Sequence, residues 1–217
     1  MRAFIFDLDG TLAQTSAVWH KAETALFAAL SEPWREDIYP HYVGMNADDV
    51  AATVHHFLQP GIPLAECQEL MRVSLSEAYR DGEIEAVPGA VQLVRRLHGS
   101  APMAVASGSP LSGIETVVRK LGVAGYFERL LSSESVSRGK PHPDVFLRAA
   151  ELLGADPRRC IVFEDSPAGL ESACSAGMRA IVRPSHHPVS EFSGAAAVVE
   201  SWDDVTNALI DDLVCPA

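Results

Sequence analysis

Long apolar runs are missing from this sequence. No stretch approaches the roughly 18 consecutive apolar residues of a membrane-spanning helix, so no span is expected. The leading run, MRAFIF, is too short for a secretory signal and stops at Asp7. Cysteine is sparse as well. Cys67, Cys160, Cys174 and Cys215 include no CxxC pair and no Cys–His spacing of a zinc site, so a reducing, cytoplasmic setting is expected. Basic residues are outnumbered, with 17 Lys plus Arg against 29 Asp plus Glu and a formal net charge of -12. Such a chain repels phosphate backbones, which argues against a nucleic-acid partner. A small anionic substrate stays open, because a local cluster of donors or a metal outweighs the mean field. No GxxxxGK[ST] occurs, so P-loop nucleotide hydrolysis has no support.

What is present is a chain of 217 residues with short apolar stretches that end at polar groups. Ala3 to Phe6 stops at Asp7, Met103 to Ala106 at Ser107, and Cys160 to Phe163 at Glu164 and Asp165. Each reads as a buried parallel strand. Weaker strands are expected at Ala180 to Val182 and Ala196 to Val199. Helical periodicity lies between them, at Ala90 to Leu97, Leu111 to Leu121, Asp144 to Leu153 and Ala168 to Ala176. This alternation predicts a three-layer α/β fold with a parallel sheet. Right-handed crossovers then bring the loops after the strands to one edge, where such sheets bind ligands. From Gln14 to Asp81 the pattern is helical only, with stretches at Ala17 to Leu30, Ala47 to Leu58 and Leu64 to Tyr79. The expected organisation is a core of residues 1–13 and 85–217 with an all-helical cap domain, 14–84, inserted after the first strand. Gly10 to Ala13 and Asp81 to Pro88 are the expected hinges.

Four strand ends carry or precede a reactive group: Asp7 with Asp9, Ser107, Lys140, and Glu164 with Asp165. Four carboxylates at one edge repel one another unless protonated, paired with Lys140, or bound to a cation. A hard cation with oxygen ligands fits, and Mg²⁺ needs few protein ligands. The expected metal residues are Asp7, Asp9, Glu164 and Asp165, with Asp9 contributing its backbone carbonyl and Glu164 acting directly or through water. Asp7 is placed as nucleophile and Asp9 as the acid and base that serves it. Ser107-Gly108-Ser109-Pro110 reads as a strand end, a turn and a helix start, with Ser109 as N-cap and Pro110 at N1. Ser107 and Gly108 would then bind phosphate, although a plain helix cap has the same sequence. Lys140, made extended by Pro141, would balance charge on a transferring phosphoryl group. Ser166 and Pro167 repeat the capped-helix pattern, and Gly169 would permit close packing. Arg138 reads as a surface residue, Cys160 and Cys174 as small core residues. His55-His56 and His186-His187 read as neighbours that diverge on a helix rather than as metal pairs. Trp19 or His20 could face the cleft.

These residues resemble the haloacid dehalogenase superfamily. FDLDGTL at Phe6 to Leu12 is similar to its first motif, VASGS around Ser107 to its second, GKPHPDVF from Gly139 to its third, and VFEDSPAGLESACSAGM, ending at Met178, to its fourth. The resemblance implies a Rossmann-like core, a helical cap and a Mg²⁺-dependent phosphatase acting on a small phosphorylated metabolite. It implies no nucleic-acid or membrane partner, and a monomer or weak homodimer is expected. The branch in view holds phosphoglycolate phosphatase, sugar-phosphate phosphatases and beta-phosphoglucomutase. Departures are specific. Ala13-Gln14-Thr15 replaces a usual VDS, Trp19 stands where a histidine is usual, the turn Gly44 to Ala47 has no cation, and Pro110 replaces a lysine of the mutase. Asp9 argues against halide chemistry. Hydrolysis of a phosphate ester is therefore expected, with a sugar phosphomutase and a non-catalytic phosphometabolite binder as alternatives.

Overall fold

The computed structural model describes residues 1–42 and 45–214. Six strands form one parallel sheet in the order β5-β4-β1-β6-β7-β8: β1 Ala3–Phe6, β4 Met103–Ser107, β5 Arg129–Ser132, β6 Cys160–Glu164, β7 Arg179–Val182 and β8 Ala197–Val198. The fold is the Rossmann-like α/β class. Phe6 lies in register with Val105 on one side and Phe163 on the other. That register sets Asp7, Ser107 and Glu164 at one end of three adjacent strands. It is also where the connections reverse direction across the sheet, the usual place for a ligand crevice.

Side chains alternate across β1 with the period of two that strands require. Phe4 and Phe6 enter one buried cluster, and Ala3 and Ile5 enter another on the opposite face. Phe6 stacks on Phe163 at 4.4 Å between ring centroids, and Trp202 meets Phe163 edge-on at 5.7 Å. Burying each such ring contributes roughly 1.5–3 kcal/mol. The Trp202 indole also donates to Thr11 O at 2.8 Å, which pins the loop after β1 to the C-terminal part of the chain.

The core helices are α4 Ala90–Leu97, α5 Leu111–Lys120, α6 Asp144–Leu152, α7 Pro167–Ser175 and α8 Asn207–Val214. Between the first and second core segments run α1 Ser16–Ala29, α2 Ala47–Leu58 and α3 Leu64–Asp81, with α3 packed against both others. Two short strands flank them, β2 Ala13–Gln14 and β3 Glu85–Ala86, paired antiparallel. Lys120 closes the C-terminus of α3: its Nζ donates to the carbonyls of Tyr79, Arg80 and Gly82 at 3.0, 2.9 and 2.7 Å.

Several expectations need correction. β5 was not foreseen, because it is an edge strand whose buried part is only Leu131 and Ser132. Gln14 lies in a strand rather than among the helices. Helix α5 begins at Leu111 with Pro110 as its N-cap, so Ser109 does not cap it. Cys174 is exposed, since it sits on the outer side of α7. By contrast, Ser166 caps α7 by accepting from Gly169 N at 3.1 Å, and Cys160 is buried. Gly44, part of the cation-free turn, lies outside the described residues.

Candidate active site

Asp7, Glu164 and Asp165 are buried, and an oxygen of each lies within 4.8 Å of the others. Lys140 Nζ bridges two of them, donating to Asp7 Oδ1 at 2.5 Å and to Glu164 Oε1 at 2.7 Å. The other Glu164 oxygen accepts from the backbone N–H groups of Asp165 and Ser166 and from the Ser166 hydroxyl, at 2.8 to 3.0 Å. Ser185, in the loop after β7, donates to Asp165 Oδ2 at 2.5 Å. Two glycines make room for these acids. A Cβ on Gly169 would stand 1.8 Å from Glu164 Oε1, and one on Gly10 would stand 1.9 Å from Asp165 Oδ2. Gly10 also has φ +81°, a conformation that few other residues adopt.

Three buried carboxylates share one lysine, and the electrostatics register the deficit. Burial pushes the Asp7 carboxyl up to about 7, against the pull of Lys140. Burial also lifts Asp165 well above the ordinary range, helped by Glu164 and Asp7. At Lys140 burial opposes the charge, but Asp7 and Glu164 outweigh it and hold the ammonium above its usual value. An all-oxygen donor set with unbalanced negative charge suits a hard divalent cation such as Mg²⁺.

Asp9 stands apart from this cluster and has its own ring of donors. Trp19 Nε1 donates to Oδ1 at 3.1 Å, and the Tyr79 hydroxyl donates to the same oxygen. Ser107 and Ser109 hydroxyls donate to Oδ2 at 3.1 and 2.7 Å. Ser107 is fully buried, and its Oγ also accepts from Ser109 N at 2.9 Å. Of the expected phosphate-binding pair, Gly108 lines the cleft and Ser107 lies beneath it. Tyr79 packs against Gly113 of α5, where a Cβ would approach its ring to 2.6 Å.

A cavity of about 420 Å³ opens above Asp7, Asp9, Lys140, Glu164 and Asp165 and is roofed by α1 and the segment leading to α2. Asn46, which caps α2, reaches down onto two glycines of the core: a Cβ on Gly108 would stand 3.1 Å from Asn46 Cβ, and one on Gly139 would stand 2.2 Å from Asn46 Nδ2. Sequence reasoning missed Tyr79, Asn46, Glu23 and Ser185. Ser185 follows a strand end and could have been found by that rule; the others carry no local signal. His186 and His187 lie in the same loop as Ser185 and line the cavity, and His186 Nε2 meets Ser16 Oγ at 3.1 Å. Arg138 is exposed and pairs with Asp144 at 3.1 Å, as expected for a surface residue.

Comparison with known proteins identifies the family. The model of the haloacid dehalogenase-like hydrolase family matches residues 1–177. Among relatives, fructose-1-phosphate phosphatase YqaB of Escherichia coli is 33% identical over 190 residues, covering 82% of this chain and 93% of that protein. The 6-phosphogluconate phosphatase of Escherichia coli is 28% identical over 216 residues, covering 93% and 95%. Among solved structures, CbbY from Rhodobacter sphaeroides in complex with phosphate superimposes with a TM-score of 0.83 at 27% identity, covering 96% of this chain and 98% of that one. With four motifs folded onto one sheet edge and a family match over most of its length, the chain belongs to the haloacid dehalogenase-like hydrolases.

Proposed function

We propose that this protein hydrolyses a small phosphate monoester, of the sugar-phosphate or phosphoglycolate type, through a phosphorylated Asp7 and with bound Mg²⁺. It is a phosphoric monoester hydrolase, as its relatives' names indicate. The observation that supports the finer reading is the contrast between two carboxylates: Asp7 lies in the acid cluster on Lys140, and Asp9 lies outside it among hydroxyl and indole donors. In the first step an Asp7 oxygen attacks phosphorus, the ester P–O bond breaks, and Asp9 protonates the departing alkoxide. In the second, Asp9 takes a proton from water, the water oxygen bonds to phosphorus, and the bond to Asp7 breaks to release phosphate. Lys140 offsets charge on the phosphoryl oxygens, with Gly108 at the cleft wall and the buried Ser107 hydroxyl beneath it on Asp9. Asp7, Glu164, Asp165 and the Asp9 backbone carbonyl would hold the Mg²⁺. When bound, the ion would neutralise the acids and polarise a phosphoryl oxygen. On this reading residues 14–84 act as a cap domain over a core of 1–13 and 85–217, and the protein works in the cytoplasm, for which the free thiols of Cys67, Cys160 and Cys174 are suited.

A mutase must grip a second phosphate. Among the described residues lining the cavity, Lys140 is the only Lys or Arg. Arg35, Arg72 and Arg80 are instead paired with Asp37, Asp48 and Asp81. This favours water as the final acceptor. The test is phosphate release from a panel of monoesters in Mg²⁺ and in EDTA, with the beryllium fluoride adduct located afterwards. Release that stops in EDTA and returns with Mg²⁺, with the adduct on Asp7, is expected. Full activity of metal-stripped enzyme in chelator, or an adduct on Ser107, overturns the reading.

A further inference from the structure

One buried charged residue of the cavity is used by neither the phosphate nor the metal. Glu23 lies on α1, lines the cavity, and is only 4% exposed. No cation pairs with it among the described residues. Its carboxyl has one hydrogen-bond donor, the Tyr42 hydroxyl, at a long 3.5 Å from Oε2. The Trp34 indole lies near enough to help hold the carboxyl's pKa down, yet no aligned bond forms, and Trp34 Nε1 is buried without a partner among the described residues. Buried polar groups are normally satisfied, so an acceptor and a donor left side by side at a cavity wall point to a ligand that completes them.

We propose that Glu23, Tyr42 and Trp34 form a hydroxyl-binding subsite for the leaving group, and that the substrate is the monophosphate of a neutral sugar or polyol. This rests on the phosphatase reading of the same site. Vicinal hydroxyls both donate and accept, which matches a carboxyl with free lone pairs beside a free indole N–H. Trp34, Tyr39 and Tyr42 follow one another along the wall, with ring centroids 5.9 and 5.5 Å apart. They give apolar faces to the C–H groups of such a molecule. Charge supplies the exclusion. A carboxylate or second phosphate on the leaving group would meet Glu23 in a shielded site, and Lys140 is already held by Asp7 and Glu164. Two of the three histidines on the wall are engaged, His186 with Ser16 and His187 with Glu191, and His20 stands edge-on to Trp34. The two relatives named above act on a neutral ester and on a carboxylated one, so the choice comes from this pocket.

Glucitol 6-phosphate and 6-phosphogluconate form a matched pair, differing at C1 as alcohol and carboxylate. With Mg²⁺ present at pH 8, above the value of about 7 to which burial lifts the Glu23 carboxyl, the wild-type enzyme should favour the alcohol at least tenfold in kcat/KM. Glu23→Gln should cut that ratio at least fivefold, because the repulsion goes with the charge. A purely structural role for Glu23 would lower both rates together and leave the ratio intact. Should Glu23→Gln not fold, Tyr42→Phe tests the same subsite and should lower the ratio at least twofold. A wild-type ratio below ten, or a ratio that survives the substitution, overturns the proposal. Calorimetry on Asp7→Asn with the same two esters separates this from the catalytic reading. If no ester is hydrolysed, the phosphatase reading fails, while tenfold tighter binding of glucitol 6-phosphate still sustains the subsite and equal binding sinks it.

Discussion

Trp19 and Asp9 are joined by a hydrogen bond of 3.1 Å, from an indole on α1 to the carboxylate that follows β1. The helical segment thereby holds the carboxylate proposed as the acid and base of the reaction. Tyr79, on α3, makes a second such link, so two separate helices orient one carboxylate.

Trp19→Phe keeps an aromatic ring, though a smaller one, and removes the donor. A hydrogen bond to a charged group contributes about 1.5–3 kcal/mol, and three other donors remain on Asp9. We expect kcat to fall roughly tenfold with KM changed less than threefold, read from steady-state phosphate release. An unchanged kcat would show that the Trp19 bond does not orient Asp9 in the reaction.

Gly169→Ala sets two effects against each other. Alanine is the better helix former by about 1 kcal/mol, and Gly169 is in α7. Its Cβ would nevertheless fall 1.8 Å from the buried Glu164 carboxylate. Overpacking costs about 1–3 kcal/mol and wins here. The variant should unfold at lower denaturant concentration and need more Mg²⁺ for half-maximal activity; a gain in stability would refute the packing argument.

Stability should also depend on pH through Glu23. Burial raises its carboxyl from an ordinary 4.5 to about 7. Between those values the folded chain keeps a proton that the unfolded chain has lost, so stability falls as pH rises through that window. Asp7 acts in the same direction, and comparison with Glu23→Gln removes its share. We expect the two proteins to match at pH 4 and Glu23→Gln to be more stable by about 1–3 kcal/mol at pH 8, measured by urea unfolding. Equal stability at both pH values would mean that Glu23 is well solvated.

Lys120→Met removes the cation that closes α3. Three carbonyls at a helix C-terminus lose their donor, and the helix dipole loses its counter-charge. A loss of roughly 1 kcal/mol in stability is expected, with faster hydrogen exchange confined to the end of α3. Uniform exchange across the chain would place the effect elsewhere.

The three central strands were legible because each is an apolar run ended by a polar group, and the strands' parallel register then brings those ends together. That pattern also located the acids and Ser107. Lys140 was legible from its proline-flanked motif. The edge strand β5 was hidden because Arg129 faces solvent, and its hydrogen bonds to β4 rather than its own composition make it a strand. Ser109 has the residue type of a helix cap, but the helix starts one position later, at Leu111 with Pro110 as its N-cap, and the Ser109 hydroxyl donates to Asp9 instead. Tyr79 lies 70 positions from Asp9, and only the packing of α3 on α1 and α5 brings them together.

The pairing of β2 with β3 has a further consequence. Ala13 faces Ala86 and Gln14 faces Glu85, so the outgoing and returning chains lie side by side, about 5 Å apart. Everything between them is topologically a loop with closed feet. A two-residue turn could join Gln14 to Glu85 with no change in the path of β1 or α4. The sheet therefore places no demand on the size or content of what is inserted there, and the ties between the helical segment and the rest are its own side-chain contacts, chiefly those of α3 with α5 and Lys120.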